Sequence, residues 1–346
     1  MTNLPNIQIL QHESILLWEN PMRDPHIRHL PVYIPPGYDS KRKEPYPTVY
    51  LLSGWSGRGS RYLNDEGVFS KSLPALLDEL ILAKKFEPVV VIFPDGGTRL
   101  GCSQYINSIS NGPYMDYLCD EIVPFVDANF HTHKNPLFRG IAGHSSGGFG
   151  ALVTGMLRPD CFLYVCSSAG DSWYEYLYTH SIPSMIRVLE KDGGVQTFIE
   201  KFLQNPNPLG LLPRDHVETM MNLSICACFS PNLSIPLLKG DLYFDVKTGE
   251  RISEVWKKFL AWDPVYMIDK NIANLRKLQW IHLEAGTEDE YSLHIGHRQI
   301  AKKLKTYEID YVLDEYPGKH GGHHYRFGDR FQKMVKKMYS SSENSL

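Results

Sequence analysis

A three-layer α/β fold, with a mostly parallel central sheet and a helical insertion, is predicted by three features of the 346-residue sequence. Continuous apolar runs such as Thr48-Val49-Tyr50-Leu51-Leu52 and Val89-Val90-Val91-Ile92-Phe93 are closed by turn residues, as expected of strands covered on both faces. These runs alternate with segments of helical spacing, the pattern of parallel α/β units. The alternation stops after Leu163-Tyr164-Val165-Cys166 and resumes at Trp280, leaving an aromatic-rich stretch from Asp171 to Lys270 that is broken by Pro and Gly. Residues 1–346 therefore read as one domain with a cap-like insertion at about 171–270 that covers the site. A content of 42% hydrophobic and 12% aromatic residues is enough to bury a large core.

In chain order, Ser14–Trp18 and Ile27–Ile34 read as two strands joined by a turn containing Pro and Asp, and Pro35-Pro36-Gly37 ends the second. After the strand Thr48–Leu52, the segment from Ser70 to Lys85 has helical spacing in Leu73, Leu76, Leu77, Leu80 and Leu82, and it leads into Val89–Phe93. Tyr114 to Phe130 is the next helix, and Phe138 to Ala142 the strand after it. Beyond the insertion come the strand Trp280–Leu283, the helix His294–Thr306, the strand Ile309–Leu313 and an amphipathic helix ending near Tyr339. The serine-rich tail from Ser340 to Ser345 is expected to fray.

A net charge of −3 without long Lys or Arg runs gives no electrostatic case for nucleic acid or an anionic membrane, so a small-molecule partner is expected. A homo-oligomer is compatible with the sequence. The six cysteines form neither a dense disulfide scaffold nor a C-x-x-C pair, and read as reduced thiols. Met1 to Leu17 lacks the features of a secretion signal, and no apolar run reaches membrane-spanning length, so a cytoplasmic location is expected.

Chemistry concentrates at Gly143-His144-Ser145-Ser146-Gly147-Gly148, between the run Phe138–Ala142 and the helix-like Phe149-Gly150-Ala151-Leu152-Val153. A serine at such a strand-to-helix turn is lifted clear of the backbone at the positive end of a helix. The residues two before and two after it crowd each other, which Gly143 and Gly147 allow, and Gly148 lets the helix pack closely on the sheet. A nucleophilic serine needs a base, and the base needs an orienting carboxylate. In α/β-hydrolases these follow in the order Ser, acid, His, each on a loop after a strand. Glu288, Asp289 and Glu290 follow the strand at Trp280, and His320, His323 and His324 follow the strand at Ile309. Position in a loop does not choose among three neighbours.

The serine segment, with Pro94-Asp95-Gly96 and Tyr105-Ile106-Asn107-Ser108 upstream, resembles the esterase-D-like branch of the α/β-hydrolases, which includes feruloyl esterases, S-formylglutathione hydrolases and enterochelin esterases. The likeness covers most of the chain outside the insertion. It implies a serine carboxylic-ester hydrolase that needs no cofactor. In that branch the acid closes a G-x-x-D turn, here Gly286-Thr287-Glu288-Asp289, and the base follows paired glycines, here Gly321-Gly322-His323. The resemblance thus prefers Asp289 and His323. It also places two oxyanion-binding amides at Trp55, after Leu51-Leu52-Ser53-Gly54, and at Ser146. Many relatives carry His or Asp where this chain has Ser53.

Plainer roles compete for several of these residues. Serine is a favoured helix N-cap. The H-x-x-H-H spacing of His320, His323 and His324 matches no known zinc geometry, so no metal is expected. His131 and His133 suit a helix end. The glycine pairs Gly96-Gly97 and Gly321-Gly322 satisfy turns rather than any phosphate-loop pattern. Trp173, Tyr174, Tyr176 and Tyr178, like Trp256, Phe259 and Trp262, have the spacing of core aromatics. The alternative is an apolar wall for an acyl or aromatic group, with Trp173, Tyr174 and His144 as substrate contacts. Asp263 in Trp262-Asp263-Pro264 is a rival acid whose plainer role is turn initiation. Sequence does not separate an esterase from a thioesterase or acyltransferase using the same triad. A catalytically dead binding protein of this fold is the reading from another class.

Overall fold

The computed structural model describes residues 6–64, 71–322 and 324–343. Eight strands form the central sheet: β1 (Ile7–Glu13), β2 (Ile27–Tyr33), β3 (Thr48–Leu52), β4 (Val90–Ile92), β5 (Arg139–His144), β6 (Tyr164–Ser168), β7 (Trp280–Gly286) and β8 (Val312–Tyr316). Their spatial order is β1-β2-β4-β3-β5-β6-β7-β8. β2 pairs antiparallel with both β1 and β4, and every pair from β4 to β8 is parallel. Burial explains the composition: all residues of β3, β4, β6 and β7 are buried, which is why these strands lack polar alternation.

Helices cover both faces. The described α1 (Leu73–Leu82) and α9 (Phe327–Glu343) belong to the apolar layer on one side, where Leu77, Phe331 and Met334 are buried with Val49, Val91 and Tyr164. The other side takes α2 (Val123–Asn129), α3 (Ser146–Leu157) and α8 (Leu293–Thr306). The expected helix from Tyr114 to Phe130 is an α turn at Tyr114–Asp116, a π turn at Tyr117–Ile122 and then α2.

Two strand predictions are corrected. Ser14–Trp18 is not a strand: β1 lies one segment earlier and runs in register with β2 from Ile7 opposite Tyr33 to Glu13 opposite Ile27. The chain then turns, because the Glu121 carboxylate accepts the amides of Ile15 and Leu16 and the hydroxyl of Ser14, drawing them from the ladder. The last strand starts at Val312 rather than Ile309, whose amide instead returns to the carbonyl of Leu304 at the end of α8.

Between β6 and β7 the chain is helical, with α4 (Ile182–Asp192), α5 (Val195–Gln204), α6 (Arg214–Phe229) and α7 (Ser253–Leu260) and several single-turn helices. Among the described residues no helix is long and apolar enough to cross a membrane.

Candidate active site

β5 delivers Ser145 into a turn that only crowding by glycine permits. Ser145 has φ 56° and ψ −126°, a strained conformation for a residue with a side chain, and its amide donates to the carbonyl of Ser168 at 2.9 Å. A Cβ on Gly143 would stand 2.2 Å from the carbonyl oxygen of Gly147, and one on Gly147 would stand 2.3 Å from that of Leu52. α3 starts at the next residue, so its amino-terminal partial charge lies at the serine.

The loops that carry Asp289 and His320 leave β7 and β8 side by side. Gly286 abuts Gly318 so closely that a Cβ there would meet its carbonyl oxygen at 2.2 Å. The amides of Thr287 and Glu288 donate to the carbonyls of Tyr316 and Gly318, both at 2.9 Å. This stitching brings the His320 ring to Asp289, Nδ1 to Oδ2 at 2.8 Å. The other Asp289 oxygen accepts the amide of Tyr291 at 2.8 Å. Burial pushes the Asp289 carboxyl up, but the hydrogen bond from His320, that ring's charge and the amides of Tyr291 and Leu293 outweigh it and hold it below the ordinary value. Asp289 is therefore ionised at neutral pH. Glu290 takes the backbone amide of His320 at 2.9 Å, and Glu288 is exposed. His323, which the resemblance prefers, lies outside the described residues.

Ser145 and His320 line one cleft, of roughly 280 Å³, together with Gly54, Trp55, His144 and Asp171. Its walls come from Leu177, Tyr178, Met221 and Ile225 on one side and Tyr62, Tyr291 and Phe327 on others. His144 also lies 4.6 Å, centroid to centroid, from the His320 ring. The loop after β3 presses on the serine: a Cβ on Gly54 would lie 3.9 Å from Ser145 Oγ. Tyr105 holds that loop, since its hydroxyl accepts the Ser53 amide at 2.9 Å and donates to the Ser53 carbonyl at 3.0 Å. The Trp55 indole is pinned to α6, donating to Ser224 Oγ at 2.9 Å. Gly54 and Trp55 thus line the cleft beside Ser145, and Ser146 opens α3 directly after it.

Trp173 and Tyr174 do not line the cleft and are corrected as substrate contacts. The buried Asp263 carboxylate accepts their two amides, at 3.2 and 2.8 Å, and the Tyr174 ring is fully buried against Tyr178 and Phe229. Asp263 also caps the turn at Pro264–Met267, and burial raises its carboxyl to about 6. Its carboxylate is thus engaged by backbone amides, and it is not among the described residues lining the Ser145 cleft.

Sequence reasoning missed three supporting residues. Tyr105 was read only as part of a motif, and its grip on Ser53 spans 52 positions. His297, fully buried on α8, accepts the Gly170 amide at 3.1 Å and steadies the loop after β6. Asp171 reaches the cleft floor from that same loop. Only the apolar face of α8 signalled His297; nothing local signalled Asp171. Among the described residues no group of three His, Cys, Asp or Glu side chains is placed to hold a metal ion.

Comparison with known proteins agrees with this architecture. A segment of 136 residues is 30% identical to an endo-1,4-beta-xylanase/feruloyl esterase of Xylanibacter ruminicola, covering 38% of this chain and 18% of that protein. Another of 125 residues is 29% identical to an esterase of Mycobacterium tuberculosis, covering 35% of this chain and 24% of that one. The matches thus span under a quarter of these relatives' lengths. Among solved structures, a ferulic acid esterase superposes with a TM-score of 0.60 at 14% identity, covering 96% of this chain and 97% of that one. An S-formylglutathione hydrolase from Staphylococcus aureus gives 0.56 at 16% identity, covering 96% and 98%. These likenesses identify the fold as that of the α/β-hydrolase esterases. The family model described as putative esterase matches residues 25–338, so the chain belongs to that family.

Proposed function

We propose that the protein hydrolyses carboxylic esters through an acyl-enzyme, with Ser145 as nucleophile, His320 as general base and acid, and Asp289 orienting the imidazole. The observation that carries this reading is the meeting of a strained strand-to-helix serine and a carboxylate-bound histidine in one cleft. We assign the base to His320 rather than His323 because, among the described residues, its ring is the one on Asp289. Asp289 accepts a hydrogen bond from Nδ1–H and stays ionised, which leaves Nε2 to take the proton of Ser145 and return it to the leaving alcohol. As Oγ attacks, negative charge grows on the carbonyl oxygen. The amides of Trp55 and Ser146 face that charge without reorganisation, each such donor being worth about 10² to 10³ in rate. Hydrolysis of the acyl-enzyme repeats the cycle with water. All six cysteines are free and buried, which fits the proposed cytoplasmic setting.

A fluorophosphonate probe should label Ser145, and Ser145→Ala should lose labelling together with about 10⁶-fold of kcat on a nitrophenyl ester. Absence of labelling in the wild type would instead indicate a binding protein. Running the assay with an added alcohol separates hydrolysis from acyl transfer, since transfer yields a new ester.

A further inference from the structure

Asp171 carries a buried carboxylate that the triad does not use. It follows β6 on a loop with no slack: Ala169 has φ 42°, and a Cβ on Gly170 would stand 2.3 Å from Ser167 Oγ. Asp171 is 6% exposed, and the surface it keeps is part of the Ser145 cleft. Its hydrogen bonds among the described residues all fall on one oxygen. Oδ2 accepts Gln104 Nε2 at 3.0 Å, the Tyr178 hydroxyl at 3.2 Å and the Ser146 hydroxyl at 3.5 Å. No described residue donates to Oδ1.

A buried carboxylate is costly unless its lone pairs are matched. Burial raises the Asp171 carboxyl above its ordinary value, against the opposing effects of Gln104, the His320 charge, Tyr178 and Ser146. Three neutral donors crowd one oxygen while the other has only the cleft in which to find a partner. Leu177, Met221, Ile225 and Leu293 of the cleft wall are apolar and supply none, and Arg61, the guanidinium among the described residues lining the same cleft, makes no ion pair with Asp171. A few polar fixtures in an apolar cleft set ligand orientation and selectivity.

We propose that Asp171 is a specificity-determining residue, whose Oδ1 accepts a hydrogen bond from a hydroxyl or ammonium group of the ester bound at Ser145 and repels esters that bring a carboxylate there. The inference rests on the hydrolase reading and names its substrate class. A site built around a substrate hydrogen bond discriminates strongly against the analogue that lacks it.

The test is a matched panel of 4-nitrophenyl butanoate, 3-hydroxybutanoate, 3-aminobutanoate and hemisuccinate. Its alcohol-side counterpart is ethyl, 2-hydroxyethyl, 2-aminoethyl and carboxymethyl butanoate. In one of the two series the wild type should favour a donor-bearing member over the unsubstituted one by at least about tenfold in kcat/KM, and the carboxylate member should be poorest. The hydroxyl and ammonium arms identify which donor is preferred. Asp171→Asn keeps an acceptor for Gln104, Tyr178 and Ser146 but turns an amide donor toward the cleft. It should erase the donor preference and raise the carboxylate member relative to the rest. A wild type indifferent to the donor in both series overturns the proposal even if the variant does not fold. A variant slowed equally on every ester also overturns it, since that result belongs to a purely structural or charge-stabilising role. Fluorophosphonate labelling of Ser145 reports the hydrolase reading separately. If labelling and turnover are both absent, calorimetric binding of 3-hydroxybutananilide against butananilide, and of 2-hydroxyethyl against ethyl butanoate, reads the same preference, and equal affinities in both pairs overturn it.

Discussion

Ser145 pairs a strained backbone with a partly exposed side chain, and the glycines at 143 and 147 are the reason this strain persists: no larger residue fits against Gly147 or Leu52. Three neighbouring histidines compete for the role beside it, and two substitutions separate them. His320→Ala should remove nearly all turnover, by a factor on the order of 10⁵ to 10⁶, whereas His323→Ala should change kcat less than about threefold. The reverse pattern on any turned-over ester would return the base to His323. The serine was legible in sequence because its whole signal is local, a strand, two glycines and a helix within ten positions. The proposed base was not, because what brings His320 to Asp289 is where β8 ends. The strand reaches Tyr316 and Gly318 locks onto Gly286, so the chain arrives at Asp289 with His320. The preference for His323 came from the paired glycines Gly321-Gly322 before it, a local signal that carries no information about which ring reaches Asp289.

At the scale of elements, one phenol makes both hydrogen bonds to the Ser53 backbone in the loop after β3. Tyr105 sits at φ 55° beside Gln104 at the same value, fully behind the loop it holds. Tyr105→Phe removes both hydrogen bonds to the Ser53 backbone while keeping the ring. We expect kcat to fall by about tenfold or more, with KM little changed, because the loss acts on the placement of the Trp55 amide in the transition state. A change confined to KM would assign Tyr105 to substrate binding instead. The parallel strands were readable as unbroken apolar runs, since burial on both faces leaves one composition. β1 was not, because one of its faces is solvated and its Ile9 is 54% exposed, whereas the more apolar Ile15, Leu16 and Trp18 lie in a turn. Apolar density alone misplaces an edge strand when a distant carboxylate, here Glu121, claims the following amides.

For the whole molecule, stability is coupled to pH through His297. Burial pushes this imidazole down to about 4 from its ordinary 6.5, the charges of Asp289 and Glu284 only partly opposing it. The unfolded chain therefore binds a proton near 6.5 that the folded protein refuses until about 4. Unfolding takes up that proton in between, so stability is full above 6.5 and declines as pH falls toward 4. The decline amounts to roughly 3 kcal/mol from this group. Chemical denaturation of His297→Gln at pH 7 and pH 5 should show a distinctly shallower loss than the wild type. Identical slopes would remove His297 from the account. The stretch between β6 and β7 was visible as a break in the strand–helix alternation. Which of its residues reach the cleft was not, because Tyr178, Met221 and Ile225 gather there from segments far apart in the chain.

The indole of Trp55 rests on Ser224 of α6, so a backbone group assigned to rate enhancement is braced by the same helix that supplies Met221 and Ile225 to the substrate wall. Sequence drift in that helix cannot retune which ester is accepted without also disturbing how fast it reacts. On the proposed function, selectivity and turnover should therefore vary together when α6 is changed, and any effort to redirect the protein toward another ester must hold residue 224 fixed or restore its partner.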